Sequence, residues 1–490
     1  MCTNDQFMNT RVRVRFAPSP TGYLHVGGLR TALYNYLYAK KHDGKFILRI
    51  EDTDQTRKVT GAVENLISTL KWAGIEYDEG PDRDGGCGPY IQSQRLDLYK
   101  EHALRLIDKG KAYYCFCSQE RIEQMRKQQL AQKLSPSYDR HCRNIPREDS
   151  ERRVAAGERY VIRMIVPNEG SLTFSDVIRG HVTIAFSMLD DQVIIKSDGY
   201  PTYHLAVVVD DHLMGITHII RGEEWLSSVP KHILLYEYFG WEIPVLAHLP
   251  LLLNPDKSKL SKRQGDVAVE DYRAKGYLRE ALINFIAFLG WNPGDEREIF
   301  SIDQLIKEFS LDRVGKSGAV FNIEKLNWLN QQHIKNQSNE NLATLISPFL
   351  QDGGIHIQDQ SYFLNTIGLL KERIAFPKDF ISASVYFFKD PDTYDEEGVR
   401  KNWESKSNEW ITLFADRLKS IPQFVRNDIE TTLRQISTEL QIKPGKLIHV
   451  TRLALSGRTN GPGLFEMMEL LGRDVVLRRL YAASERIRIS

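Results

Sequence analysis

The strongest constraint on the fold lies near the N-terminus, where a strand, a turn-rich loop, a helix and a second strand follow one another. Residues 11–16, Arg-Val-Arg-Val-Arg-Phe, alternate arginine with β-branched Val12 and Val14 and then Phe16, the pattern of a strand. Pro18-Ser19-Pro20-Thr21-Gly22 then breaks it. Leu29, Ala32, Leu33, Tyr36 and Leu37 recur at helical spacing, and the helix should stop near Asp43-Gly44. Residues 45–52, Lys-Phe-Ile-Leu-Arg-Ile-Glu-Asp, read as the second strand. Two strands joined by a helical crossover pair in parallel, so the expected class is α/β with a parallel sheet.

The chain has 490 residues, too many for one core, and about three or four globular units are expected. Residues 95–113 read as a helix. From 115 to about 190 the pattern breaks into short, turn-rich segments, as an insertion would. Between 192 and 253 strands and helices return, with residues 204–207 placed on a strand, and these look like the second half of the same sheet. Beyond 270 the periodicity is amphipathic and helical, and the C-terminal third reads as all-α. The expected division is 1–114 and 192–255 for the two halves of the sheet domain and 115–191 for the insertion. Residues 256–335 would connect, and 336–490 would form a helical region. That last boundary rests on the polar run Lys335-Asn336-Gln337-Ser338-Asn339-Glu340.

Apolar residues at 42% and charged residues at 26% exclude disordered and fibrous classes. A formal net charge of +1 lacks the basic excess common in nucleic-acid binders, so RNA binding has to be argued from local motifs. Five cysteines are few and odd in number, which disfavours a disulfide framework. The N-terminus has no apolar signal-like core and no stretch reaches 18 apolar residues, so a cytoplasmic location is expected.

Two motifs carry chemistry. The first, Pro18-Ser19-Pro20-Thr21-Gly22-Tyr23-Leu24-His25-Val26-Gly27-Gly28, joins the first strand to the first helix. An open parallel sheet places its ligand crevice there, a helix N-terminus favours phosphate, and glycines let a ligand approach the backbone. His25 can donate to phosphate oxygens. By itself such a turn is equally an ordinary connection with a surface histidine. It is not the Gly-x-Gly-x-x-Gly fingerprint, which disfavours a dinucleotide dehydrogenase. The second motif, Lys259-Leu260-Ser261-Lys262-Arg263, follows an apolar run and the turn Asn254-Pro255-Asp256. Such a loop can close over a triphosphate and neutralise a leaving pyrophosphate. By itself it is equally a solvated basic loop.

Together, in this order and with a long insertion between them, the two motifs resemble the signatures of class I aminoacyl-tRNA synthetases. The blocks FAPSPTGYLHVGGLRTALYNYLYAKKHDGKFILRIEDTDQTR, SDGYPTYHLAVVVDDHLMGITHIIRGEEW and NPDKSKLSKR closely resemble the bacterial-type glutamyl-tRNA synthetase family, as does GLFEMMELLG near residue 465. The resemblance covers most of the chain and is weakest over 140–190 and 340–440. It implies a Rossmann-type catalytic domain split by an acceptor-stem-binding insertion, followed by all-α domains that bind the anticodon. The implied activity is ATP-dependent ligation of L-glutamate to tRNA(Glu) through a glutamyl-adenylate, with tRNA(Gln) as a further possible acceptor. Magnesium would ride on ATP, and the enzyme would be a monomer.

For the site, the resemblance assigns glutamate to Arg15, Ala17, Ser19, Glu51, Tyr203 and Arg221. Both arginines end apolar strands at the carboxyl edge of the inferred sheet, and guanidinium suits carboxylate. Glu51 would take the ammonium, although an acidic cluster ending a strand could instead bind metal. Tyr203 would face the substrate or, alternatively, the core. ATP would meet Thr21, His25, Gly27, Gly28, Glu224, Lys259, Ser261 and Lys262, with His25, Lys259 and Lys262 catalytic. Zinc-bearing relatives carry Cys-x-Cys, a long gap and Cys-x-His. Here Cys115, Cys117 and Cys142 match, but Asn144 holds the fourth position, leaving His141 as a substitute and structural zinc open. Arg400, Lys401, Trp403, Lys406 and Trp410 are candidates for phosphate contact and base stacking, or for an ordinary solvated helix face. The competitors are a glutaminyl-tRNA synthetase, which carries β-barrel anticodon domains, and a short tRNA-modifying paralogue lacking the C-terminal part. A nucleotidylyltransferase and a non-catalytic tRNA-binding module complete the set.

Overall fold

The computed structural model describes residues 11–488 apart from 58, 261–267 and 352. It divides into two compact units, residues 1–275 with 282–323, and residues 276–281 with 324–490.

In the first unit, β1 (Arg13–Phe16), α1 (Val26–Lys41) and β2 (Lys45–Leu48) form the expected crossover. β1 and β2 are parallel, in register from Arg13 opposite Lys45 to Phe16 opposite Leu48. His25 caps α1, its side chain accepting from the Gly28 N–H, and Lys40 and Lys41 meet the negative end of the helix dipole. The helix stops because Asp43 takes a left-handed φ of 50° and Gly44 lies against the Val12 carbonyl, where a Cβ would sit 2.2 Å from the oxygen. Leu29, Leu33 and Leu37 of α1 are fully buried with Val14 and Phe46.

Next along the chain come α2 (Ala62–Trp72) and α3 (Leu96–Asp108). The following stretch holds β3 (Ala112–Cys115), α4 (Gln119–Ala131), α5 (Arg147–Ala155), β4 (Val161–Met164), β5 (Ser171–Asp176), β6 (Gly180–Ala185) and β7 (Val193–Ile195). Strands β3, β4 and β7 make a small antiparallel sheet, and β5 and β6 an antiparallel hairpin. These short elements occupy the stretch whose turn-rich pattern suggested an insertion.

The second half of the unit holds α6 (Tyr203–Leu213), β8 (His218–Gly222), α7 (Val229–Phe239) and β9 (Val245–Leu249). β8 and β9 are parallel. The Thr217 N–H donates to the Arg13 carbonyl at 2.9 Å, which sets β8 beside β1. The order is therefore β9, β8, β1, β2: the chain winds outward in opposite directions from the β1–β8 seam, and a ligand crevice opens at the carboxyl ends there. Residues 204–207 lie in α6, not on a strand. Leu205 through Asp211 are all buried, and a short apolar run buried on every side carries no period to separate helix from strand. Packing overrides the β preference of Val207, Val208 and Val209.

In the second unit, all regular elements among the described residues are helices, from Ile323–Asn336 through Arg473–Arg486. Their core includes Phe363, Phe380, Ile411 and Phe414. The polar run 335–340 spans the junction of two of these helices, where Ser338 caps the second by accepting from the Asn341 N–H. Trp403 and Trp410 are 4% and 5% exposed and belong to this core, so neither is available to stack on a base. Arg400, Lys401 and Lys406 are exposed.

Candidate active site

At the carboxyl ends of β1 and β8 lies a cavity of about 850 Å³, the size of a typical small-ligand site. The first motif forms one wall: Ala17, Ser19, Thr21, His25, Gly27 and Gly28 all line it. The His25 Nδ1 accepts the Gly28 N–H at 3.1 Å. In a neutral imidazole the proton then sits on Nε2. Gly27 allows this ring position, since a Cβ there would meet the imidazole at 3.1 Å. The first turn of α1 carries no acid to offset its positive end.

Lys259 and Leu260 of the second motif line the same cavity. Past the motif, Ala268 pairs with His25 and the Val269 N–H donates to the Leu24 carbonyl at 2.9 Å. The two motifs thus meet at one site. Ser261, Lys262 and Arg263 lie outside the described residues.

Buried charges form the floor. Arg15 Nε donates to Asp211 Oδ1 at 3.0 Å, and Arg49 Nη1 donates to the same oxygen at 2.8 Å. Arg49 Nη2 donates to Glu51 Oε1 at 3.1 Å. Such an array is tolerated only because each charge has a partner. Burial raises the Glu51 carboxyl to about 7, against the pull of Arg49 and Arg15. Burial also raises Asp211, but Arg15 and Arg49 together outweigh it and hold that carboxyl below its usual range. Beside it Asp210 accepts from Arg95 Nε at 2.7 Å, Gln92 Nε2 at 2.8 Å and Tyr99 Oη at 2.8 Å. Asp211 was missed in the sequence, where two adjacent acids ending an apolar run were the available signal: buried there, they require arginine partners.

Arg221 ends β8 on the opposite wall. Its Nη1 donates to Tyr203 Oη at 2.8 Å. Tyr203 packs against Trp225 with ring centroids 4.2 Å apart and planes tilted by 33°, and both rings line the cavity. Burial raises the Tyr203 phenol, partly opposed by Arg221. It therefore stays protonated and keeps its own O–H to donate. Glu224 also lines the cavity. Its carboxylate lies over Gly222, where a Cβ would come within 2.2 Å of it.

A separate cluster sits in the insertion. The sulfurs of Cys115, Cys117 and Cys142 lie within 4.8 Å of one another, and all three thiols are free. The Tyr138 hydroxyl is 3.2 Å from Cys115 Sγ and 3.4 Å from Cys117 Sγ, and it accepts the Cys142 N–H at 3.1 Å. His141 is exposed. Tyr138 is joined at the thiols by Arg121, whose Nη1 donates to Cys117 Sγ at 3.5 Å.

Residues 11–328 match the family model described as tRNA synthetases class I (E and Q), catalytic domain, and residues 341–484 match an anticodon-binding domain. A glutamate–tRNA ligase of Chlorobium chlorochromatii is 52% identical over 487 residues, covering 96% of this chain and 97% of the relative. That of Chlorobium luteolum is 52% identical and covers 98% of each. Among solved structures, a glutamate–tRNA ligase from Elizabethkingia meningosepticum in complex with its amino acid superposes with a TM-score of 0.90 at 38% identity, over 98% of this chain and all of that one. Glutamate–tRNA synthetase from Elizabethkingia anophelis gives 0.88 at 39%, over 97% of this chain and all of that one. With its sheet, its cavity and both domain models accounted for along nearly its whole length, the chain belongs to the glutamate–tRNA ligase family of class I tRNA synthetases.

Proposed function

We propose that this protein joins L-glutamate to tRNA(Glu) in two steps within the 850 Å³ cavity. The observation that carries this reading is the convergence of Arg15, Glu51 and Arg221 with the His25-capped start of α1 and with Lys259 on that one space. Glutamate brings two carboxylates and an ammonium group, and the cavity offers two guanidiniums and a carboxylate to meet them. In the first step a glutamate carboxylate oxygen attacks the α-phosphorus of ATP and the bond to the β-phosphate oxygen breaks, releasing diphosphate. The His25 Nε2–H, the N-terminal amides of α1 beside Gly27 and Gly28, and Lys259 with Lys262 stabilise the charge that develops on the phosphates. Thr21 and Ser261 add hydroxyl contacts to ATP, and Glu224 meets its adenosine. Ala17 and Ser19 border the amino acid, and the Tyr203 hydroxyl donates to it. In the second step the 2′-hydroxyl of the terminal tRNA adenosine attacks the activated carbonyl and AMP leaves. No covalent enzyme intermediate is required; position and charge do the chemistry. Magnesium enters with ATP.

Residues 115–191 serve as the acceptor-stem platform, 256–335 connect, and 336–490 carry the anticodon-binding surface, where the exposed Arg400, Lys401 and Lys406 supply phosphate contacts. We also infer that Cys115, Cys117 and Cys142 hold a structural zinc ion, with the fourth position unassigned. Three sulfurs within 4.8 Å of one another fit three corners of a tetrahedral ion. Elemental analysis of protein purified without chelator should find one zinc per chain, and its absence ends that assignment.

Aminoacylation with labelled glutamate and glutamine on purified tRNA(Glu) and tRNA(Gln) tests the main reading. Glutamate transfer to tRNA(Glu) is expected. Glutamate transfer to tRNA(Gln) as well would widen the tRNA range, and preferential glutamine transfer would overturn the amino-acid assignment.

A further inference from the structure

Arg221 is held by more than the Tyr203 hydroxyl. Its Nε donates to His248 Nε2 at 3.0 Å, and its Nη2 lies 3.3 Å from His232 Nδ1. A guanidinium has five N–H groups; these contacts use three and leave one on each Nη, the number a carboxylate fork needs. The imidazole proton positions follow from the far side of each ring. His248 Nδ1 is 2.6 Å from Asp176 Oδ2, and both side chains are fully buried. Asp176 Oδ1 accepts the backbone N–H groups of Ile178 and Arg179 at 3.0 and 2.9 Å. A carboxylate in that setting accepts from His248 Nδ1–H, so His248 Nε2 is bare and faces a donor. His232 Nδ1 is likewise bare toward Arg221, and its Nε2–H meets His204 Nδ1 at 3.0 Å.

Asp176 ends β5, so this support comes from the insertion. The turn that carries it is fixed to the sheet domain. The Val177 N–H donates to the Leu246 carbonyl at 2.8 Å, Arg179 Nε donates to the His248 carbonyl at 3.3 Å, and Arg179 also pairs with Glu223.

We propose that His248, oriented by Asp176 of the β5–β6 hairpin, is a positioning residue that aims the two remaining Arg221 N–H groups at a substrate carboxylate. This rests on the reading that Arg221 binds that carboxylate. The electrostatics agree: burial and the Arg221 charge lower the His248 pKa, outweighing the pull of Asp176, and burial lowers that of His232 well below its usual value. Both rings remain neutral acceptors at neutral pH.

The test is steady-state kinetics on the full chain. Arg221→Ala is the benchmark, compared with His248→Ala, His248→Gln and Asp176→Asn. His248→Ala should raise the glutamate KM about tenfold or more, leaving the ATP KM within about twofold. His248→Gln, whose amide oxygen can accept from Arg221 Nε, should restore most of the loss. Asp176→Asn lets the ring flip its proton toward Arg221 and should raise the glutamate KM. Equal rises in both KM values, or an unchanged glutamate KM in His248→Ala while Arg221→Ala is impaired, would overturn the proposal alone. An unchanged glutamate KM in Arg221→Ala would remove the underlying reading, and the proposal with it. Should the alanine variant not fold, His248→Gln must stay near wild type while Asp176→Asn does not; equal values overturn it.

Discussion

Glu51 carries two opposed demands on one carboxyl. Burial favours its protonated form up to about pH 7, whereas an ammonium ligand requires the carboxylate. For folding, a raised carboxyl pKa means the native state holds a proton that the unfolded chain releases near its ordinary value. The stabilisation is present below that ordinary value and is lost as pH rises through about 7. For binding the sign reverses: the glutamate KM should climb as pH falls through about 7. Glu51→Gln should remove that slope, weaken glutamate binding and raise the melting temperature at pH 8, where the wild-type carboxylate is buried. A melting temperature that falls instead would show that Arg49 and Arg15 need this charge more than burial opposes it. Asp211 behaves oppositely. Removing it in Asp211→Ala takes away the carboxylate Arg15 donates to and one of the partners of Arg49, and should cost about 3–5 kcal/mol of stability in denaturant unfolding. Residue roles were unevenly legible. Arg15, Glu51 and Arg221 were readable because they end strands next to recognisable motifs. Asp211, Tyr138 and His248 were not, because each acts on a partner at least 20 residues distant in the chain, and no local pattern records that pairing. Trp403 and Trp410 misled because basic neighbours on a helix resemble a nucleic-acid face, and only packing shows the rings turned inward.

At the scale of elements, α1 is the part on which the phosphate chemistry turns. Gly27→Ala places a methyl against the His25 imidazole and should displace its Nε2. The expected result is a kcat for adenylate formation lowered about tenfold to a hundredfold with the glutamate KM nearly unchanged, measured by ATP–pyrophosphate exchange. Lys262→Ala should give the same signature, a slower chemical step with glutamate affinity preserved. A large loss of glutamate affinity at normal turnover would contradict both. The strand–helix–strand unit was legible because its periods are clear and its breaks are made by Asp43 and Gly44. The α6 segment was not, because a run buried on all sides has no polar face to mark its period. The β5–β6 hairpin gave no sign that its turn supports the wall of the cavity, since its anchoring bonds reach Leu246 and His248.

For the molecule as a whole, the split into an α/β unit and a helical unit matches a change of texture that composition alone blurs. The helical unit differs from the β-barrel expected of the glutaminyl competitor, and residues 341–484 match an anticodon-binding model. With a net charge of +1, affinity for tRNA must come from a few placed cations and not from bulk attraction. Arg400→Ala and Lys406→Ala should therefore raise the tRNA KM and flatten its dependence on salt, leaving the ATP and glutamate KM values unchanged. Equal effects on all three substrates would mean that these side chains serve the fold.

The central claim is that His25, Arg15, Glu51, Arg221 and the basic motif act on one substrate pair in one cavity. A crystal structure with a non-hydrolysable glutamyl-adenylate analogue tests it most directly. The account predicts the phosphate mimic within hydrogen-bond reach of His25 Nε2, the amino-acid carboxylate on Arg221 and the ammonium on Glu51. An analogue bound elsewhere, or bound there with Arg221 and Glu51 turned away from it, would contradict the account.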